Sequence, residues 1–183
     1  DAIVLMLKHL PRDYVLLIRL PPTDTVTLQN VENDPRLIID RPGERFGEGA
    51  KAIRMTELSP ADDRRLVASI VYSDAVFTVF SSIAVDALYL NKPVVLFGFD
   101  PTPVSYWESV SRIHEFEHLQ PLRRSKAVFT AKNEMDLKHF LASPTSLSVS
   151  EEERERLLRF ECFSSDGKGS ERLLGVINEM SPR

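Results

Sequence analysis

Five short apolar runs, each too short for a stable helix, constrain the fold of this chain more than any other feature. They span residues 14–20, 37–40, 75–79, 93–99 and 127–131. Most are continuous in β-branched and aromatic side chains rather than alternating, the pattern of strands covered on both faces. Helical periodicity fills several of the intervals between them. Strands alternating with helices imply βαβ units, a parallel sheet and right-handed crossovers that put helices on both faces. The expected fold is therefore α/β, a Rossmann-like parallel sheet of about five to six strands with a helical C-terminal tail.

Local signals place the helices. Ser59 is a capping residue, Pro60 suits the first helical position, and Asp62 and Asp63 complement the dipole. Leu66, Val67, Ile70 and Val71 then follow at helical spacing as a predicted buried face. A second helix is predicted from about Ser82 to Leu90, stopped by Asn91-Lys92-Pro93. A third opens at Asn133 and carries Leu137, Phe140 and Leu141. Residues 143–150 read as a polar linker, and Ser150 with Glu153 as a capping box. Beyond residues 164–169 a last helix carries Leu173, Leu174, Ile177 and Met180. This divides the chain into a domain over 1–142 and a helical tail over 143–183 folded back on it. The Gly-rich, charged stretch 41–55 is the expected mobile loop.

Composition excludes several functions. A net charge of −4 and 43% hydrophobic content describe a globular protein without the basic field of a nucleic-acid binder. No run approaches the ~20 apolar residues of a membrane span. The chain opens at Asp1 without an initiator Met or a signal-peptide layout, so a fragment of a longer protein is expected. The single cysteine, Cys162, has no internal disulfide partner and no neighbouring base, and reads as a packing residue. His114 and His118 enclose Glu115-Phe116-Glu117, which is not the His-Glu-x-x-His order of a zinc protease, and no metal site is expected. Gly167-Lys168-Gly169-Ser170 lacks the spacing and the preceding strand of a P-loop.

The segment with chemical content runs from Asp74 to Pro93. A buried strand ends at Val79, and Ser81-Ser82 stand where a helix begins. Free N–H groups at a helix start, with two hydroxyls beside them, suit a phosphate, although serine there is also the commonest cap. Asp86 lies one turn on, placed either to accept bonds from sugar hydroxyls or simply to complement the dipole. In open α/β sheets ligands bind beyond the carboxyl ends of the strands, where this turn falls. His114 and His118, if helical, share a face and approach a phosphate; the alternative is an exposed pair beside Glu115 and Glu117. Trp107 is either a platform for a base or a packing anchor.

The run Asp74-Ala-Val-Phe-Thr-Val-Phe-Ser-Ser-Ile-Ala-Val-Asp86, with its Lys92-Pro93 strand start, resembles the nucleotide-binding segment of GT-B glycosyltransferases. It is most like the CDP-glycerol glycerophosphotransferase and surface-polysaccharide transferase group. The tail Asp166-Gly-Lys-Gly-Ser-Glu-Arg172 resembles that group's closing helix. The resemblance implies one half of a GT-B fold, with an acceptor-binding N-terminal domain outside this chain. It implies Ser81 and Ser82 on the diphosphate of a CDP- or UDP-linked donor, Arg19 as a basic phosphate contact, and Asp86 near the ribose or sugar. Gly98, Phe99 and Asp100 would open the loop that lines the donor pocket. No cofactor or metal is implied, and the setting is cytoplasmic, with membrane association only through other segments. The chain departs from the group in Arg19-Leu20-Pro21-Pro22, where Pro21 replaces a histidine, so no catalytic residue carries over. A nucleotide-sugar 2-epimerase and a non-catalytic module keeping the fold are the alternatives.

Overall fold

A computed structural model describes residues 1–22, 31, 33–45, 56–79, 81–164 and 166–180. The chain runs α1 (Ala2–His9), β1 (Leu16–Arg19), β2 (Leu37–Asp40), β3 (Glu44–Arg45), β4 (Thr56–Glu57), α2 (Pro60–Val71), β5 (Val76–Thr78) and α3 (Ile83–Tyr89). It continues with β6 (Val94–Phe97), α4 (Val110–His114), α5 (Gln120–Arg124), β7 (Phe129–Ala131), α6 (Glu134–Ala142), α7 (Glu151–Cys162) and α8 (Gly169–Met180). All five apolar runs contain a strand, and the class is α/β with parallel pairing.

The lateral order corrects the expected single sheet of five to six strands. The described residues form two parallel sheets, β1-β2 and β5-β6-β7, and an antiparallel pair β3-β4. Apolar periodicity reports what a strand's faces meet. Lateral pairing uses backbone N–H and C=O groups that almost every residue carries alike, so the pattern does not specify which strands become neighbours.

Strand β6 shows how the core is organised. Its four residues are all buried, and alternation sends them to opposite faces. Val94 and Leu96 meet Ala84, Ala87 and Leu88 of α3, Leu122 of α5, and Leu157 and Leu158 of α7. Val95 and Phe97 meet Met6 and Leu7 of α1 and Leu137 and Leu141 of α6. Helices thus cover both faces of the three-stranded sheet. Leu16, Leu37 and Ile39 of the two-stranded sheet pack against the second cluster.

Capping follows the sequence with exceptions. Ser59 and Asp62 form a reciprocal capping box at α2. Asn133 caps α6 through the Asp136 N–H. At α7 only half of the expected box forms: Ser150 accepts from the Glu153 N–H, while the Glu153 carboxylate pairs with Arg156. On α2, Ile70 is buried and Leu66 partly so, but Val67 and Val71 of the predicted stripe are exposed. The apolar residues of α8 are all exposed, so α7 packs on the core and α8 buries none of its own residues. Helix α1 was not among the predicted helices; Asp1 stands at its N-cap without a side-chain cap bond, and Lys8 and His9 tie it to Glu134 of α6. Of the predicted loop 41–55, residues 46–55 lie outside the described residues, while Glu44 and Arg45 pair with Glu57 and Thr56.

Candidate functional site

Parallel strands put all their carboxyl ends on one edge of their sheet, and some of the sequence-predicted donor residues follow these ends. β5 ends at Thr78 and leads into Ser81 and Ser82; β6 ends at Phe97 and leads into Gly98, Phe99 and Asp100. Because β5 and β6 pair in parallel, from Val76↔Val94 to Thr78↔Leu96, these two turns are neighbours on one edge.

Both serines are exposed, and neither acts as a strong cap. Ser82 makes no side-chain cap bond, and Ser81 Oγ accepts from the Ile83 N–H only at 3.5 Å. The backbone carbonyls of Ser81 and Ser82 instead open the helix, accepting from Ala84 and Val85 at 3.0 and 2.9 Å. Two hydroxyls at the head of α3 are therefore not consumed in holding it. Asp86 sits further along the exposed side, near Cys162 of α7. Loss of solvent raises the Asp86 pKa. The Cys162 thiol is raised by its own desolvation and then by the charges of Glu161 and Asp86, which keeps it protonated. Asp86 therefore has α7 as a neighbour as well as the serine turn.

Gly98 has a packing reason for its identity. A Cβ there would stand 2.7 Å from Thr130 Cγ2 and 2.9 Å from the Ala131 carbonyl oxygen, and backbone cannot yield as a flexible side chain would. Its N–H donates to that same oxygen at 2.8 Å. Phe99 packs at the border of the core beside Phe97, ring centroids 6.3 Å apart. Asp100 is committed to the loop that follows: Val110 N–H donates to Oδ1 at 2.9 Å and Ser109 Oγ–H to Oδ2 at 2.6 Å, fixing the start of α4.

The structure does not give His114 and His118 a common helix face. α4 ends at His114, Phe116 is extended, and Glu117–Leu119 form a separate 3-10 turn. His114 turns inward, where burial lowers its pKa and the Phe97 backbone partly offsets that effect. His118 is exposed and stacks on Phe116 at 5.8 Å.

Arg19, at the carboxyl end of β1, is held by a network of its own. It pairs with Asp40, its register partner on β2, and donates to the Asp62 carbonyl at 3.1 Å. Arg65 bridges the same groups, pairing with Asp62 and reaching Asp40 at 3.6 Å. Asp62 is buried, and hydrogen bonds from the Ser59 backbone and hydroxyl hold its pKa down to about 2 against desolvation, with Arg65 adding a smaller pull. Arg19 is thus not brought to the serine turn as an uncommitted cation.

After β6, Trp107, read from the sequence as either a base platform or a packing anchor, belongs to a cluster whose other members sequence reasoning passed over. Tyr106, Trp107, Arg112 and Phe116 form an aromatic cluster whose guanidinium lies over both the Trp107 and Phe116 rings. The density of aromatic and basic residues over 106–118 was the available signal. A cavity of about 400 Å³ lies elsewhere, at the amino ends of β5 and β6, lined by residues including Asp74, Lys92, Pro93 and Arg154. Among the described residues no three His, Cys, Asp or Glu side chains gather as a metal site, and no helix is long and apolar enough to cross a membrane.

Compared with known proteins, the chain matches no family model, no curated protein and no solved structure.

Proposed function

We propose that this chain is the donor-binding half of a GT-B type transferase, a Rossmann-like unit that holds the diphosphate of a CDP- or UDP-linked donor for glycosyl or glycerophosphate transfer. The observation that carries the reading is the β5–turn–α3 unit. A parallel strand delivers two exposed serines, with hydroxyls little used in capping, to the edge where the β6 turn also ends. Donors at a helix start stabilise the charge that grows on a departing nucleotide without needing to reorganise. Transfer needs a second wall to orient the acceptor. That wall belongs to an N-terminal domain outside this chain, working at the cytoplasmic side in synthesis of a surface polysaccharide or a teichoic-acid-like polymer.

Titration of the chain with CDP, UDP, GDP and their sugar conjugates, by calorimetry or NMR, tests this. Saturable binding of one nucleotide is expected, weakened about tenfold or more by Ser81→Ala/Ser82→Ala, since hydrogen bonds to a charged group are among the strong ones. The isolated chain transfers nothing. A folded chain that binds no nucleotide would sink the reading.

One observation favours a second reading, a non-catalytic module that keeps the fold. Arg19 is spent on Asp40 and the Asp62 carbonyl, and Pro21 follows where a histidine is expected. Under that reading nucleotide binding is absent while thermal stability is normal.

A further inference from the structure

Arg112 is unlike the other arginines whose ion pairs tie this fold together. Its guanidinium carbon lies 5.8 Å from the Trp107 ring centroid and 5.5 Å from that of Phe116. Among the described residues its Nε is buried without a hydrogen-bond partner, and no carboxylate forms an ion pair with its guanidinium. Two acids stand close by in sequence, but each serves a hydroxyl: Glu115 accepts from Tyr106 Oη–H at 2.5 Å, and Glu108 from Ser105 Oγ–H at 2.9 Å. The guanidinium is therefore held against aromatic faces, and its nearest charged neighbour, Glu115, reaches it only through their shared contact with Tyr106. A half-buried guanidinium laid against two rings, with no ion pair among the described residues, has donors to offer a tetrahedral or planar oxyanion.

Trp107 adds the second half of a site. It is 73% exposed, the largest apolar side chain to be so displayed, and Tyr106 meets it edge-on at 5.5 Å. Tyr106 is in turn fixed by its bond to Glu115. A packing anchor would be covered; a fixed ring left open to solvent beside a cation is a platform for a flat ligand.

We propose that Arg112, Trp107 and Phe116 form a receptor for a small phosphate ester, the phosphate on the Arg112 guanidinium and the ester's ring on the exposed Trp107. The site does not use Ser81 or Ser82, and it stands or falls separately from the transferase reading. The shared chemistry is a phosphate group next to a ring, and either a nucleotide or a sugar phosphate supplies it.

The chain has one tryptophan, so its intrinsic emission reports on Trp107 alone. The experiment titrates that emission with cytidine 5′-monophosphate and with glucose 1-phosphate, using cytidine and glucose as uncharged counterparts and inorganic phosphate as competitor. At least one ester should change the emission saturably. Its uncharged counterpart should bind about tenfold more weakly or not at all, and inorganic phosphate should reverse the change. Response to the nucleotide identifies a base as the ring, and response to the sugar phosphate identifies a pyranose. Arg112→Gln should weaken binding about tenfold or more, and Arg112→Lys should retain part of it. Ser81→Ala/Ser82→Ala should leave the response intact. Silence toward both esters, equal binding of the uncharged counterparts, unchanged affinity in Arg112→Gln, or loss of the response in the serine variant would each overturn the proposal. If Arg112→Gln does not fold, the wild-type salt dependence decides: affinity should fall several-fold as sodium chloride rises from about 50 to about 500 mM, and a salt-independent response overturns it.

Discussion

The two parallel sheets are written in nearly the same residues and are treated very differently by the rest of the chain. In β5-β6-β7, Val94, Val95, Leu96 and Phe97 are buried, with α3, α5 and α7 over one face and α1 and α6 over the other. In β1-β2, Leu16, Leu37 and Ile39 reach the core, but the cross-strand pair Leu17↔Ile38 is 44% and 50% exposed. Their carboxyl ends differ too. One ends in close packing, where Gly98 meets Thr130 and Ala131, and the other ends in the Arg19, Asp40, Arg65 and Asp62 network. The comparison separates what a strand's composition requests from what helices supply. An apolar run asks for cover on both faces, and only helices of the right length on both sides of the chain provide it.

The largest expected effect tests the covered sheet. Leu96→Ala removes a side chain with no exposed surface from a cluster that joins β6 to α2, α3, α5 and α7. It should cost about 2–5 kcal/mol, the transfer energy of the lost methyls together with the cavity they leave. Chemical denaturation of the variant beside wild type measures this. A loss below about 1 kcal/mol would mean that the helices do not hold that face as a packed layer.

An intermediate effect concerns acid, and it should fall on the two-stranded sheet first. Asp62 has a folded-state pKa held down to about 2 from the ordinary 3.8, chiefly by the Ser59 backbone and hydroxyl. A carboxyl whose pKa is lower folded than unfolded binds fewer protons in the native state, so stability rises with pH across that interval. The contribution is complete above about pH 4 and disappears as pH falls from there towards 2. Amide exchange in β1, β2 and the first turn of α2 should accelerate over that window, while β6 holds. Ser59→Ala should shorten the window from below and cost about 1 kcal/mol at neutral pH, a typical price for a lost cap. Simultaneous loss of protection in both sheets would show that the network does not act locally.

How much of this was legible in the sequence differs between the same two regions. The five strands of the two parallel sheets were visible because continuous runs such as Val94–Phe97 have no other use in so short a span, whereas the short β3 and β4 were not. The caps at Ser59 and Asn133 were visible because capping is local chemistry. The split into two sheets was not, since the ladder bonds of β1 and β5 are made by backbone groups that carry no sequence label. At the candidate site the serine turn was readable from Ser81-Ser82 alone. The fates of its proposed neighbours were not: Arg19 is taken by Asp40, Asp100 by α4, and His114 and His118 are separated by a helix that stops at His114. Each depends on a partner distant in sequence or on a helix end that residue spacing leaves open. Arg112 was passed over for the converse reason, because what marks it is its place over two rings and, among the described residues, the lack of an ion-pair partner, which only the folded arrangement shows.

The smallest expected effect completes the comparison. Leu17→Ala changes the same residue type to the same product as Leu96→Ala, also on a parallel strand, but at a position 44% exposed. The native state there already leaves much of the side chain in water, so folding gains little from it and no closed cavity forms when it is shortened. What remains is its cross-strand contact with Ile38, and such pairs contribute only about 0.2–1 kcal/mol. Denaturation of Leu17→Ala should therefore fall within that range of wild type. A loss as large as that of Leu96→Ala would mean that this face is covered in solution, and the contrast between the sheets would then lie in their partners rather than in their burial.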